Sequence, residues 1–150
     1  MSGGQTGADR GALDAAMQAG VPHGGWCPRG RLAEDGAIPP RYLLQETSSP
    51  RYPVRTEQNV VDSDGTALIT YGPPGGGSAL TARLAHKHAR PLLCIDLQTD
   101  SHGEAAAAIR RFVERHEIRV LNVAGSRESN NPGLADAVRG MMLDVLTTAR

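Results

Sequence analysis

Aromatic side chains, net charge and long apolar runs are all scarce in this chain of 150 residues. It has one Trp, one Phe and three Tyr, fewer than a protein that stacks nucleic-acid bases normally uses. Sixteen basic residues balance sixteen acidic ones, so no basic surface is available for nucleic acid or an anionic membrane. No apolar run reaches the roughly 20 residues of a membrane span. The composition therefore predicts neither a nucleic-acid partner nor a membrane partner.

Cysteine is almost absent too. Cys27 and Cys94 lie in separate segments, without a C-x-x-C or zinc spacing, so no metal site is predicted. The apolar neighbours of Cys94 predict a small core residue, and packing is favoured over a nucleophilic role for Cys27. The first residues lack the basic-then-apolar pattern of a signal peptide. We therefore expect a protein of the reducing cytoplasm.

Apolar runs and helical patterns alternate along the chain. This order predicts an α/β fold, with a parallel sheet flanked by helices on both faces, formed by residues 1–150 as a single domain. Strands are predicted at 66–71, 91–97 and 118–123, and helices at 8–19, after 72–78, at 104–116 and at 134–148, with one or two helical turns at 55–62.

A glycine-rich loop, Gly3–Arg10, runs directly into the first helix. Glycines let the backbone approach a ligand closely, and a helix N-terminus offers free N–H groups to an oxyanion. Thr6 and Asp9 have the spacing of a capping box, and the Arg10 guanidinium could reach an anion. The loop predicts a phosphate site, with an ordinary capped helix as the alternative.

Two more loops follow predicted strands. Gly72–Thr81 contains three consecutive glycines and Ser78, and predicts a second anion site or a flexible turn with Ser78 as the N-cap. Gly125–Glu128 offers Ser126 and Arg127. Ligands of such folds bind beyond the carboxyl ends of the strands. We therefore expect the three loops to converge on one site.

A glycine loop of this kind normally follows a strand, yet only Met1 and Ser2 precede Gly3. The sheet is therefore expected to leave a neighbouring strand exposed, which invites association. A longer natural product or an oligomer would cover it.

Motifs in order along nearly the whole chain are similar to those of the molybdenum cofactor carrier proteins, a circularly permuted branch of the Rossmann-like SLOG superfamily. That superfamily also contains cytokinin-activating phosphoribohydrolases. The matching motifs are Gly3–Asp14, Gly25–Pro28, Gly30-Arg31, Glu34–Gly36, Leu44–Thr47, Tyr52, Arg55-Thr56, Asn59-Val60, Asp62–Thr66, Leu121–Gly125 and Arg127–Ser129.

The resemblance implies a Rossmann-like domain that binds molybdenum cofactor (molybdopterin), molybdate or a nucleotide-like phosphate ligand. It also implies a homo-oligomer that interacts with molybdoenzymes or cofactor-biosynthesis proteins. Together with the loop chemistry it predicts a binding site, with Arg29 and Arg31 coming from a covering loop. The predicted site residues are Gly3, Gly4, Gln5, Thr6, Gly7, Asp9, Arg10, Arg29, Arg31, Gly75, Gly76, Gly77, Ser78, Thr81, Gly125, Ser126, Arg127 and Glu128.

The phosphoribohydrolases carry a glutamate a few residues after the second glycine loop, where this chain has Leu80, Thr81 and Ala82. We therefore predict a small-molecule carrier without turnover and assign no catalytic residue. One alternative is a nucleotide-processing hydrolase that uses Asp9, Glu34 or Glu128. The other alternative is a sensor of a nucleotide signal.

Overall fold

The chain folds into the Rossmann-like α/β arrangement that the sequence predicts. The computed structural model describes residues 1–148. Within them no helix is both long and apolar enough to cross a bilayer. The helices are α1 (Ala8–Ala19), α2 (Tyr52–Asp62), α3 (Gly76–Lys87), α4 (His102–Arg115) and α5 (Leu134–Thr148). The strands are β1 (Trp26–Cys27), β2 (Leu32–Ala33), β3 (Gly36–Ala37), β4 (Gln45–Glu46), β5 (Gly65–Thr70), β6 (Leu92–Asp96) and β7 (Leu121–Gly125).

The central sheet has the order β6-β5-β7, and both strand pairs are parallel. All six residues of β5 are buried, which is why this strand is an almost continuous apolar run. Adjacent side chains of β6 point to opposite faces. Leu93 packs against the large cluster that contains residues of α1, α4 and α5, and Leu92 packs against the smaller cluster that contains residues of α2 and α3. Helices therefore cover both faces.

The prediction that Cys94 is a core residue is wrong, because its side chain is exposed. It lies on β6, an outer strand of the central sheet with a neighbour on one side only. Cys27, by contrast, is buried beside Leu13 and Tyr42, and burial raises the pKa of its thiol. That environment suits packing rather than nucleophilic chemistry.

Met1 and Ser2 lie between β7 and the segment before β1. The Met1 amino group donates to the Leu121 carbonyl at 2.8 Å, and the Val123 N–H donates back to the Met1 carbonyl at 2.9 Å. On the other side, the Ser2 N–H donates to the Gly24 carbonyl at 3.0 Å. We expected the strand next to this position to be left exposed. That strand is β7, and the expectation is wrong where Met1 and Ser2 pair with it.

The first helix has the predicted bounds but not the predicted cap. Gly7 is the N-cap and no side chain bonds there, so the capping box is wrong. Asp9 Oδ2 accepts from the Gln5 N–H at 3.2 Å instead. At the other end, Gly20 has φ +69°, and its N–H reaches the carbonyls of Ala16 and Met17. This left-handed glycine ends the helix as predicted.

The proline-rich segment between β1 and α2 is an ordered layer. Strands β2 and β3 form an antiparallel hairpin, and β4 pairs in parallel with β1. The segment closes a second apolar cluster around Leu13 of α1. Within it, the buried Tyr42 donates its hydroxyl to Asp14 Oδ1 at 2.7 Å. This layer covers α1 rather than the carboxyl ends of the central strands.

Candidate functional site

A cavity of about 670 Å³ lies beyond the carboxyl ends of β5 and β7, within the usual range of ligand pockets. All three predicted loops contribute to its lining, so their convergence is seen in the structure. The predicted site residues that line it are Gly3, Gln5, Asp9, Gly75, Gly76, Gly77, Ser78, Thr81, Gly125, Ser126 and Arg127.

The N-terminus of α3 forms one wall of this cavity. Among residues 1–148, the backbone N–H groups of Gly76 and Gly77 have no acceptor. A Cβ built on Gly75, Gly76 or Gly77 would meet no atom within 4 Å, so packing does not require glycine there. The bare backbone instead leaves unpaired donors accessible from the cavity. The Thr81 hydroxyl is already used, since it donates to the Gly77 carbonyl.

Three arginines and a single carboxylate line the cavity, which we call the arginine cavity for Arg55, Arg83 and Arg127. Arg55 is buried and donates to the Gly3 carbonyl at 3.0 Å. Within the described chain, the guanidinium groups of Arg83 and Arg127 have no hydrogen-bond acceptor and form no salt bridge, and Arg127 is only near enough to Glu34 to lower the pKa of that carboxyl. The cavity therefore holds unneutralised positive charge.

Tyr52 orders two of these cations. The guanidinium carbons of Arg55 and Arg127 lie 5.2 and 5.1 Å from the centre of its ring. Both distances allow a cation–π attraction. The ring therefore links α2 to the loop after β7 and holds two positive charges beside the cavity.

The lone carboxylate of the cavity, Asp9, is buried deeply. Burial raises its pKa against the opposing effect of Arg55, whose Nη1 lies 3.8 Å away. Its neighbour Gln5 accepts from the N–H groups of Thr6 and Glu34 through Oε1, at 3.1 and 2.9 Å. These two bonds fix the amide orientation, so the buried Gln5 Nε2 is left as a donor without a partner among residues 1–148.

The other predicted site residues lie outside the lining: Gly4, Thr6, Gly7, Arg10, Arg29, Arg31 and Glu128. Arg10 donates to the Gly4 carbonyl and, at 2.5 and 2.7 Å, to both carboxylate oxygens of Asp35. Those hydrogen bonds lower the pKa of Asp35. Arg10 therefore ties α1 to the hairpin instead of facing the cavity.

The remaining acidic candidates serve local structure. Glu128 accepts from the N–H groups of Gly133 and Ala135 at the start of α5. Glu34 accepts from the Thr6 hydroxyl and from Ser129, and these hydrogen bonds outweigh burial and lower its pKa. No described group of three or more His, Cys, Asp and Glu could hold a metal ion.

Arg31 was predicted to bind the ligand, but it has a structural role instead. Its guanidinium donates to backbone carbonyls of the covering layer: those of Ile38, Pro39, Tyr42 and Leu44.

We therefore expect Arg31→Ala to lower the free energy of unfolding by about 2–3 kcal/mol, because it leaves several backbone carbonyls without their hydrogen-bond donor. Phosphate affinity should not change. Urea denaturation and calorimetric titration measure the two quantities. Arg29→Ala removes the same charge from an exposed side chain and is the control. Weaker phosphate binding in Arg31→Ala alone would contradict this assignment.

One face of α2 was not predicted to belong to the site. Tyr52, Arg55, Thr56 and Asn59 all line the cavity, and their spacing of three and four residues places them on one side of a helix. Asn59 is 3% exposed and bonds both the N–H and the carbonyl of Trp26. Arg83, Tyr71 and Asn122 were missed as well. A polar helical face was the available signal for the α2 residues.

The fold and the cavity define a Rossmann-like protein with positive charge and free helix N–H groups beyond the strand ends. The chain belongs to the circularly permutated YpsA SLOG family, whose model matches residues 1–146. It is similar to a protein from Syntrophus aciditrophicus SB, solved at 1.45 Å, that bears the provisional name of molybdenum carrier protein. Identity is 48% over 97% of this chain and 91% of that chain, with a TM-score of 0.93. Comparison with curated proteins gives no match.

Proposed function

We propose that the chain binds a phosphate-bearing small molecule in the arginine cavity and carries it without turnover. One observation carries this proposal: three arginines face the cavity against one buried carboxylate. The guanidinium groups of Arg83 and Arg127 have no hydrogen-bond acceptor within the described chain, and the Gly76 and Gly77 N–H groups add uncharged donors. Charge-assisted bonds of this kind are the strong ones.

Molybdenum cofactor is the cargo that the solved relative's name favours, with a nucleotide-like ligand as the alternative. The lining of the arginine cavity contains neither Cys nor His. The protein would therefore contact such a cargo through phosphate or other oxygen atoms, not by ligating the metal with thiolate or imidazole. Molybdate, phosphate and sulfate share this oxyanion chemistry.

A hydrolase would need a carboxylate beside the bound ligand. Of the three candidates, only Asp9 lines the cavity, and it is buried with the Arg55 Nη1 3.8 Å from its Oδ2. Carriage without turnover is therefore favoured. Steady release of free base from a nucleoside monophosphate would contradict it.

The test is thermal unfolding with phosphate, sulfate or molybdate at constant ionic strength. A ligand at about 100 times its Kd adds about 2.7 kcal/mol to stability, or roughly 5–10 °C in Tm for a chain of this size. The shift should grow with the logarithm of anion concentration. Chloride at the same ionic strength is the control. Equal melting temperatures in all four salts would contradict the proposal.

A further inference from the structure

A second cavity, of about 440 Å³, adjoins the arginine cavity. We call it the ring cavity. It lies between the end of β5 and the start of α5. Tyr71, Asn130 and Asn131 line both cavities, so the two spaces adjoin at these three residues.

The walls of the ring cavity are chemically unlike those of its neighbour. Leu97, Leu134 and Ala137 supply apolar surface, and none of its lining residues is charged apart from the titratable His102. Tyr71 is 53% exposed at the junction. Such an exposed aromatic face is suited to stacking against a flat ring.

Hydrogen-bonding groups stand at the entrance to this apolar space. Among residues 1–148, the side-chain amides of Asn130 and Asn131 make no hydrogen bond. Their backbone groups do: the N–H groups donate to the Arg127 and Glu128 carbonyls, and the Asn131 carbonyl accepts from the Leu134 N–H. Each amide offers both donors and an acceptor. Apolar walls, one aromatic face and free amides together match a planar heterocycle with a polar edge.

We propose that the ring cavity binds the fused heteroaromatic ring of a ligand whose phosphate occupies the arginine cavity. This inference rests on the proposed function and deepens it. Purines and pterins share a fused pyrimidine with amide-like edges, so either would present the required chemistry. A free inorganic anion would fill only the first cavity.

The experiment is calorimetric titration of the whole chain with phosphate, ribose 5-phosphate and GMP. GMP should bind more tightly than ribose 5-phosphate by on the order of 5- to 150-fold, the usual range for one stacked base. Guanosine and pterin 6-carboxylate, each titrated with saturating phosphate so that the arginine cavity is filled, distinguish a purine from a pterin by which of the two binds more tightly.

Two variants test the location. Ala137→Leu places bulk in the ring cavity alone and should reduce GMP affinity toward that of ribose 5-phosphate, leaving phosphate affinity unchanged. Tyr71→Ala should also weaken GMP binding. Leu43→Ala, which truncates a side chain 68% exposed elsewhere, is the control and should change nothing.

The possible failures are distinguishable. Absence of phosphate binding would contradict the proposed function itself. If phosphate binds, but GMP binds no more tightly than ribose 5-phosphate and pterin 6-carboxylate does not bind, the ring cavity proposal alone is overturned. Unchanged GMP affinity in Ala137→Leu, in a variant that melts like the parent, would overturn it too.

Discussion

Arg127→Ala is expected to weaken phosphate binding by about 10- to 150-fold. Its guanidinium lines the arginine cavity without an acceptor in the described chain, so an incoming oxyanion gains its bonds without breaking others. Hydrogen bonds to charged groups contribute about 1.5–3 kcal/mol, which gives that range. Calorimetric titration with phosphate measures the change.

Arg29→Ala is the matched control, because it removes an exposed arginine that does not line the cavity. It should bind phosphate like the parent protein. Urea denaturation of Arg127→Ala corrects for the lost contact with Tyr52, whose loss should cost about 0.5–1 kcal/mol of stability. If the two variants bind phosphate with equal affinity, Arg127 is not part of the binding site and contributes only nonspecific positive charge.

Gly7→Ala is expected to lower the free energy of unfolding by about 2–6 kcal/mol. The residue has φ +81°, and an added Cβ would lie 2.7 Å from the Glu128 nitrogen and 2.8 Å from the Arg127 carbonyl carbon. The left-handed conformation and the backbone clash each cost about 1–3 kcal/mol. Urea denaturation at one temperature measures the sum.

Gly30→Ala separates these two costs. Gly30 has φ +84°, but its nearest neighbour, a carbon of the Leu32 side chain, would lie an ordinary 3.7 Å from the new Cβ. Only the conformational cost should appear there. If Gly7→Ala is no more destabilising than Gly30→Ala, the first loop and the loop after β7 are not packed backbone to backbone.

This geometry changes the predicted role of the first loop. Gly7 was expected to let the backbone approach a ligand. In the structure, the lack of a Cβ instead lets the loop at Ser126–Glu128 pack against it. The Ala8 N–H donates to the Ser126 carbonyl at 3.1 Å, so a neighbouring loop bonds the first turn of α1. The second glycine loop, at Gly75–Gly77, is the one with open space in front of it.

Local patterns predicted the fold well because they report local physics. The apolar run that became β5 and the glycine that ends α1 need no knowledge of distant residues. The convergence of three loops followed from parallel strands, whose carboxyl ends share one edge. Those inferences required only the order of elements.

Side-chain partners could not be predicted in the same way. Arg10, Arg31 and Arg127 look equivalent in sequence, each beside a glycine or a turn. Their roles differ because Asp35 binds Arg10 and a set of backbone carbonyls binds Arg31. Such pairings depend on tertiary geometry, so the sequence identified cations without showing which of them face the cavity.

The pairing of Met1 with β7 has a consequence for the order of folding. Residues 1 and 121 meet although they are 120 positions apart in the chain, and α1 packs extensively on α5. Contacts so distant in sequence incur loop-closure entropy before they form, which slows folding. The covering layer follows α1 closely in the chain and can pack on its Leu13 side early, whereas α5 begins only at Leu134. The side of α1 that packs on α5 therefore stays exposed until residues 134–148 are available to cover it.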